Sequence, residues 1–333
     1  MTINLIKGDK MRKVNILFIT ALFALTQFTF AQAVKVDSKI PPYKKVAGIS
    51  GNANSIGSDT MNNLMALWLE GFRKHYPLVN IQIEGKGSST APPALIEGTA
   101  QFGPMSRKMK SNEIDSFEKK YGFKPTVIRT SLDALAIFVN KDNPLDCITL
   151  EQADAVFSKT RKRGFAKDVK TWGDLGLTGV YANQPVRIFG RNSASGTYGF
   201  FKEHVLKKGD YKDEVKEQPG SASVVQGVTE DKFAIGYSGI GYKTSGVKAL
   251  PLAEKEGATC YDGAYENVTS EKYPLSRYLY LNIVKNPTKP MDPLVKEFIK
   301  YVLSYEGQEI VIKDGYLPLP YNVVMEELKK LED

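Results

Sequence analysis

Residues 186–197 read VRIFGRNSASGT, an apolar stretch that runs into a loop of small and hydroxyl side chains. This order predicts a strand over 186–189, a loop over 190–199 and a helix through 200–206. Comparable glycine and serine joints stand before predicted helices at 57–60 and 87–90. Strands and helices therefore alternate along most of the chain, which favours an α/β fold with a parallel or mixed sheet.

The remaining elements follow from the same periodicities. We predict further strands over residues 46–50, 79–84, 100–103, 126–139, 234–237 and 278–284, and helices that begin near residues 60, 92, 111, 149, 220 and 292. In open α/β sheets ligands bind where strand ends meet helix starts. The glycine and serine joints are therefore the candidate ligand-binding positions.

The first 33 residues have the layout of a secretory signal peptide, with basic residues at 7–13, an apolar run over 14–30 and a small-x-small pattern at 31–33. The alternative is a membrane anchor, but the run is short and is interrupted by Asn15 and Gln27. No cysteine follows the run, so lipid attachment there is excluded. We expect cleavage and a periplasmic protein.

The composition of the 333 residues, 42% apolar and 25% charged, fits a globular protein and excludes a collagen-like, coiled-coil or disordered chain. Removing residues 1–33 takes away four of 45 basic and one of 37 acidic side chains, which leaves a surplus of five positive charges. That surplus suits an anionic ligand but not a nucleic-acid-binding surface. With two histidines and two cysteines, we expect no metal and no cofactor. Whether Cys147 and Cys260 pair stays open.

Four loops carry residue types that bind anions: residues 57–60, 87–90, 104–107 and 191–197. The first N–H groups of a helix lack partners and lie at the positive end of its dipole, so an anion stabilises both. Hydroxyls donate hydrogen bonds without bulk, and the arginine fork matches a tetrahedral oxyanion. For any single loop the alternative is that its serine only caps a helix.

The order of these loops resembles the periplasmic phosphate-binding proteins of bacterial ABC phosphate importers. The resemblance covers about Gly48 to Pro320 and rests on Gly87-Ser88-Ser89, Phe102-Gly103, Arg191 with Ser195-Gly196-Thr197, residues 234–237 and residues 304–320. It implies a two-lobed α/β fold of the type II periplasmic-binding-protein (venus-flytrap) kind, which clamps phosphate between its lobes without catalysis.

The resemblance also implies the phosphate-binding residues: Ser58, Asp59, Thr60, Ser88, Ser106, Arg107, Arg191, Ser195, Gly196 and Thr197. The best-studied form of the family has an Asp after its Phe-Gly strand, which accepts a proton from phosphate; here Ser106 stands at that place. We hypothesise that Asp59 supplies the missing carboxylate; alternatively, it only favours the start of its helix. Arg107 is expected to bond the anion or Asp59, or to be a solvated surface arginine.

We expect lobe one to comprise residues 46–128 and 277–325 and lobe two residues 129–276, with crossings near 128–129 and 276–277. Hinge closure would bury phosphate and present both lobes of a monomer to a membrane ABC permease. The alternatives are a binder of sulfate or molybdate and a serine-dependent phosphate-ester hydrolase using Glu203 and His204. The chain lacks a Gly-x-Ser-x-Gly nucleophile motif, so we expect no enzymatic activity.

Overall fold

The computed structural model describes residues 34–332. The predicted signal peptide, residues 1–33, lies outside the described residues. Between residues 34 and 332, no helix has the length and apolar character needed to cross a membrane.

The secondary structure alternates as the sequence predicts. The strands of the described residues are β1 (Gly51–Ile56), β2 (Val79–Glu84), β3 (Gly103–Met105), β4 (Thr126–Asn140), β5 (Ile148–Thr149), β6 (Arg187–Arg191), β7 (Lys216–Gln218), β8 (Ala234–Gly239), β9 (Val247–Ala249), β10 (Leu252–Ala253) and β11 (Ser276–Ile283). Their helices are α1 (Asn62–Arg73), α2 (Ala91–Glu97), α3 (Ser111–Tyr121), α4 (Leu150–Phe157), α5 (Gly196–His204), α6 (Ser221–Glu230), α7 (Tyr265–Thr269), α8 (Pro293–Val302), α9 (Tyr305–Lys313) and α10 (Tyr321–Lys329).

A mixed seven-stranded sheet forms the centre, in the order β3-β11-β4-β8-β6-β7 with β9 beside β4. β4 pairs antiparallel with β11 and β8, whereas β6 pairs parallel with β7 and β8. β1 and β2 form a separate parallel pair. The predicted α/β fold with a mixed sheet is confirmed.

β4 is shared between two parts of the sheet. It pairs with β11 as far as Ala134 and with β8 from Leu135 onwards. The strand is buried throughout residues 130–140, which explains the apolar run over residues 134–139. The change of partner falls in β4 at 134–135, while the lobe boundaries expected from the sequence stay a prediction.

Three predicted boundaries are wrong. The first strand begins at Gly51 rather than covering 46–50, because its buried positions hold the small residues Ala53 and Ser55 and give no apolar signal. β3 covers 103–105 rather than 100–103. α5 begins at Gly196, four residues before the predicted start, because Ser195 caps it.

Two contacts connect distant parts of the chain. α1 turns Trp68 and Phe72 into the core, where Trp68 Nε1 donates to the carbonyl of Gly307 at 2.9 Å and Phe72 packs on Phe298. Cys147 and Cys260 form a disulfide, with their Cα atoms 6.3 Å apart, beside the paired strands β5 and β10. The pairing that the sequence leaves open is therefore present.

Candidate anion-binding site

Four loops meet at the carboxyl ends of their strands. We refer to residues 57–60 as the β1 loop, 85–90 as the β2 loop, 106–110 as the β3 loop and 192–195 as the β6 loop. Gly87 N donates to the carbonyl of Gly57 at 2.7 Å, which joins the β2 and β1 loops. Ser89 N donates to the carbonyl of Ala194 at 3.1 Å, which joins the β2 and β6 loops. Loops about 100 residues apart in the sequence thus touch.

Four buried hydroxyl groups converge where these loops meet. Thr60 Oγ1 and Thr197 Oγ1 lie 2.9 Å apart, and Ser106 Oγ lies 3.3 Å from Ser88 Oγ and 3.5 Å from Thr197 Oγ1. None of the four residues is more than 1% exposed. We call these four residues the hydroxyl cluster. Each hydroxyl can rotate its proton, so the cluster can present several donors to a small anion.

Glycine is required at two positions beside the cluster. A Cβ at Gly196, the first residue of α5, would lie 2.2 Å from Ser88 Oγ and 2.6 Å from Ser106 Oγ. Gly87 has φ +113°, and a Cβ there would lie 2.5 Å from the carbonyl oxygen of Ala194. A side chain at either position would push the loops apart, because both contacts are shorter than van der Waals packing permits.

Arg191 ends β6 and is held from three directions. Its Nη1 donates to Ser221 Oγ at 2.7 Å, and its Nη2 donates to the carbonyl of Pro219 at 3.0 Å and lies 3.1 Å from Asp59 Oδ2. Burial lowers the pKa of Arg191, and the charge of Asp59 opposes this shift. Nε of Arg191 is buried and has no hydrogen-bond partner among the described residues. A buried N–H of this kind is a donor that an anion would satisfy.

Asp59 links the β1 loop to the start of α6. Its Oδ2 accepts the backbone N–H of Ser221 at 2.8 Å in addition to its contact with Arg191. Its carbonyl accepts the hydroxyl of Tyr242 at 2.9 Å. Its Oδ1 makes no hydrogen bond with any residue between 34 and 332. The structure therefore gives Asp59 a role that the sequence did not suggest, since its carboxylate holds the arginine in place.

Arg107 does not bond Asp59, and it is not a solvated surface residue; both of these expectations are wrong. Its two terminal nitrogens contact the two carboxylate oxygens of Glu113 at 2.7 Å each, and Nη1 also donates to the carbonyl of Lys108. The residue is 8% exposed. Glu113 lies in the first turn of α3, so this bidentate pair fixes the β3 loop against that helix.

The capping alternative holds for one serine and not for another. Ser195 Oγ accepts the backbone N–H groups of Thr197 at 3.1 Å and Tyr198 at 3.3 Å, so it is the N-cap of α5. Ser58 occupies the equivalent position before the 3₁₀ turn Asp59–Met61 but makes no capping bond, although it is only 2% exposed. Its hydroxyl is free to serve another purpose.

Sequence reasoning missed a second buried arginine at the cluster. Arg277 of β11 and Asp133 of β4 are direct cross-strand partners, with Arg277 Nη2 2.7 Å from Asp133 Oδ2. The same guanidinium donates to Thr197 Oγ1 and to the carbonyl of Ser106, each at 3.0 Å. A charged residue within each of two apolar strands was the available signal. Without the register of β4 and β11 it could not be connected to the site.

The hydrolase alternative finds no geometric support. His204 is an exposed residue whose ring stacks on Phe200, with ring centroids 4.0 Å apart, and partial desolvation of the ring lowers its pKa. The hydroxyl cluster contacts Arg277 rather than a general base. Among residues 34–332, no group of three or more His, Cys, Asp and Glu side chains is placed to hold a metal. The arrangement offers donors and positive charge, which is the chemistry of oxyanion binding.

The chain is similar to known proteins over most of its length. A family model described as a PBP superfamily domain matches residues 45–306. The chain is 57% identical over 296 residues to the phosphate-binding protein PstS of Pseudomonas aeruginosa, covering 89% of this chain and 92% of that protein. It is 28% identical to PstS of Staphylococcus haemolyticus, covering 85% and 86% of the two chains.

The fold also matches a solved structure. An ABC-type phosphate transport receptor from Vibrio cholerae superposes with a TM-score of 0.61 at 21% identity, covering 80% of this chain and 100% of that one. At this identity the match supports the two-lobed architecture alone.

Proposed function

This chain belongs to the PBP superfamily and, within it, to the PstS phosphate-binding proteins, and on that basis we propose that it binds inorganic phosphate outside the cytoplasm for delivery to an ABC importer permease. A two-lobed fold would explain why β4 pairs with β11 along its first part and with β8 along its second part. We infer that the hydroxyl cluster lies between the lobes and that hinge closure brings its members together. The function is capture and release, without chemical change to the ligand.

One observation carries the proposal: buried hydroxyls from the β1, β2 and β3 loops meet Thr197 of α5. Arg191, which contacts Asp59 of the β1 loop, has a buried Nε without a partner among residues 34–332. A tetrahedral oxyanion would satisfy that nitrogen and accept from the hydroxyls. Arg191 and Arg277 would supply charge-assisted hydrogen bonds to it, while Asp59 and Asp133 offset their charges. Inside a closed cleft these charge-assisted bonds are stronger than in water.

The structure leads us to divide the ten candidate residues by role. We propose that the ligand is bound directly by Ser58, Thr60, Ser88, Ser106, Arg191, Gly196 and Thr197. Asp59, Arg107 and Ser195 hold this set in place, through Arg191, Glu113 and the α5 N-terminus respectively. In addition, we propose that Asp59 Oδ1 accepts the proton of a protonated phosphate.

Isothermal titration of the mature protein tests the proposal. The protein is unfolded and refolded to remove any anion carried through purification and is then titrated with phosphate, sulfate and molybdate. We expect tight one-to-one binding of phosphate and weak or no binding of sulfate. Binding of sulfate or molybdate in preference to phosphate would keep the site and change its ligand, because Ser106 removes the family's acceptor-only carboxylate.

Two variants locate the binding. Arg191→Ala should weaken phosphate binding by about 3 kcal/mol or more, since a buried anion would lose a charged partner. The matched control is Arg187→Ala, four residues earlier on the same strand, whose side chain is 42% exposed and pairs with Asp231 instead. Equal phosphate affinity in Arg191→Ala and the control would place the anion elsewhere.

A further inference from the structure

A cleft of about 1170 Å³ opens beside the hydroxyl cluster. One wall consists of the β3 loop with the start of α3, a second of α5 with the segment that follows it, and a third of residues within 268–280. Ser106, Ser195 and Arg277 also line the cleft, which therefore adjoins the proposed phosphate site. It is far larger than a single phosphate ion requires.

The lining of this cleft is strongly basic. Six basic and two acidic side chains line it: Arg107, Lys108, Lys110, Lys202, Lys208 and Arg277 against Glu203 and Glu271. The lining thus has a surplus of four positive charges before the carboxylates that pair with them from outside the cleft are counted.

The basic groups differ in how far neighbouring carboxylates neutralise them. Arg107 and Arg277 are bound to Glu113 and Asp133, each at 2.7 Å. The two lysines of the α5 wall have looser ion pairs, Lys202 with Asp210 at 3.3 Å and Lys208 with Glu203 at 3.9 Å.

The two lysines of the β3 loop, Lys108 and Lys110, form no ion pair with any residue between 34 and 332. Both are exposed. Their charges therefore reach the cleft without a local counter-charge.

We propose that this cleft is a capture site for phosphate, a second and weaker anion-binding region that collects the ion before it reaches the hydroxyl cluster. This inference rests on the proposed function of that cluster. The four lysines that line the cleft attract a dianion, and Arg277 connects them to the buried site because it lines the cleft and contacts Thr197 and Ser106. A low-dielectric cleft lined by one sign of charge raises the local concentration of counter-ions and hence the association rate.

The test is a fourfold variant, Lys108→Gln, Lys110→Gln, Lys202→Gln and Lys208→Gln. Stopped-flow fluorescence measures the association rate constant kon and the dissociation rate constant koff for inorganic phosphate at low and at high ionic strength. We expect kon to fall about tenfold at low salt, with koff unchanged, and the dependence of kon on salt to weaken. At high salt the variant and the parent protein should converge.

The control removes the same number of charges at exposed lysines that do not line the cleft: Lys39→Gln, Lys44→Gln, Lys74→Gln and Lys329→Gln. Its kon should stay within about twofold of the parent protein, since these charges do not line the cleft. If both variants lose kon equally, only net charge matters and the capture site is refuted. If the cleft variant keeps the parent kon, the inference fails while phosphate binding stands. If the parent protein binds no phosphate, the proposed function itself fails.

Discussion

Replacing Asp59 by Asn tests how the site tells phosphate from sulfate. Oδ2 of Asp59 is occupied by Ser221 N and Arg191, while Oδ1 makes no hydrogen bond with another residue between 34 and 332. We expect that free oxygen to accept the proton of a protonated phosphate. Sulfate carries no proton at neutral pH, so the carboxylate opposes it. Asn keeps the shape and can still accept the Ser221 N–H.

The magnitude follows from the bond that is lost. A hydrogen bond to a charged group contributes about 1.5–3 kcal/mol, which corresponds to roughly 10–100-fold in Kd. Asp59 is 22% exposed, so the lower half of that range is expected. Sulfate affinity should stay constant or rise because a repulsive charge is removed. The ratio of sulfate Kd to phosphate Kd should therefore fall by about tenfold or more.

Titration calorimetry of the parent and variant with both anions measures this ratio. Asp292→Asn is the matched control, because Asp292 also accepts a backbone N–H, from Val295 at 3.0 Å, but caps α8 outside the four loops. If phosphate and sulfate lose affinity by the same factor in Asp59→Asn, the carboxylate acts only by holding Arg191. The proton-acceptor reasoning would then be refuted.

Three further predictions follow from individual contacts. Gly87→Ala should weaken phosphate binding by roughly 1–3 kcal/mol without abolishing folding, measured by calorimetry and thermal melting, because the new Cβ meets the Ala194 carbonyl at a positive φ. Replacing Cys147 and Cys260 by Ser should lower the free energy of unfolding in denaturant by about 2–4 kcal/mol, since the bridge closes a loop of 113 residues; an unchanged midpoint would contradict this. Burial raises the pKa of Asp314 from 3.8 to about 6, so unfolding releases its proton and its contribution to stability falls as the pH rises across that interval. Asp314→Asn should flatten this part of the stability profile, and an identical slope in the variant would count against it.

The sequence predicted which helices and strands are present better than where individual strands begin and end. The helix over 111–121, the strand over 79–84 and the capping box of Thr149 with Gln152 appear as expected, because each carries a local signal in its own residues. The predicted position of β1 was wrong because its core-facing residues, Ala53 and Ser55, are small and give no apolar signal. Small buried residues satisfy packing against a neighbouring strand without producing an apolar alternation, so their burial is visible only once the partner is in place.

The candidate site was likewise predicted only in part: its residues could be predicted from the sequence, but their contacts could not. Thr60, Ser88, Ser106 and Thr197 were candidates because they stand at strand-to-helix joints, and the structure brings them together. The partners that fix the arginines were not visible. Asp59 reaches Arg191 across the fold, and Arg107 turns to Glu113.

Asp133 and Arg277 show the limit most clearly. Each looks like an interruption in an apolar strand when it is read alone. They become a buried ion pair only through the antiparallel register of β4 and β11, which places one directly opposite the other. Register depends on the rest of the sheet, so no local pattern could have joined them.

The pairing of β3 with β11 sets when this protein can finish folding during its synthesis. Met105 pairs with Tyr280, and Gly103 pairs with Asn282. A nascent chain therefore carries β3 without that partner until the residues of β11 have left the ribosome. The central sheet is therefore completed only after most of the chain has been synthesised.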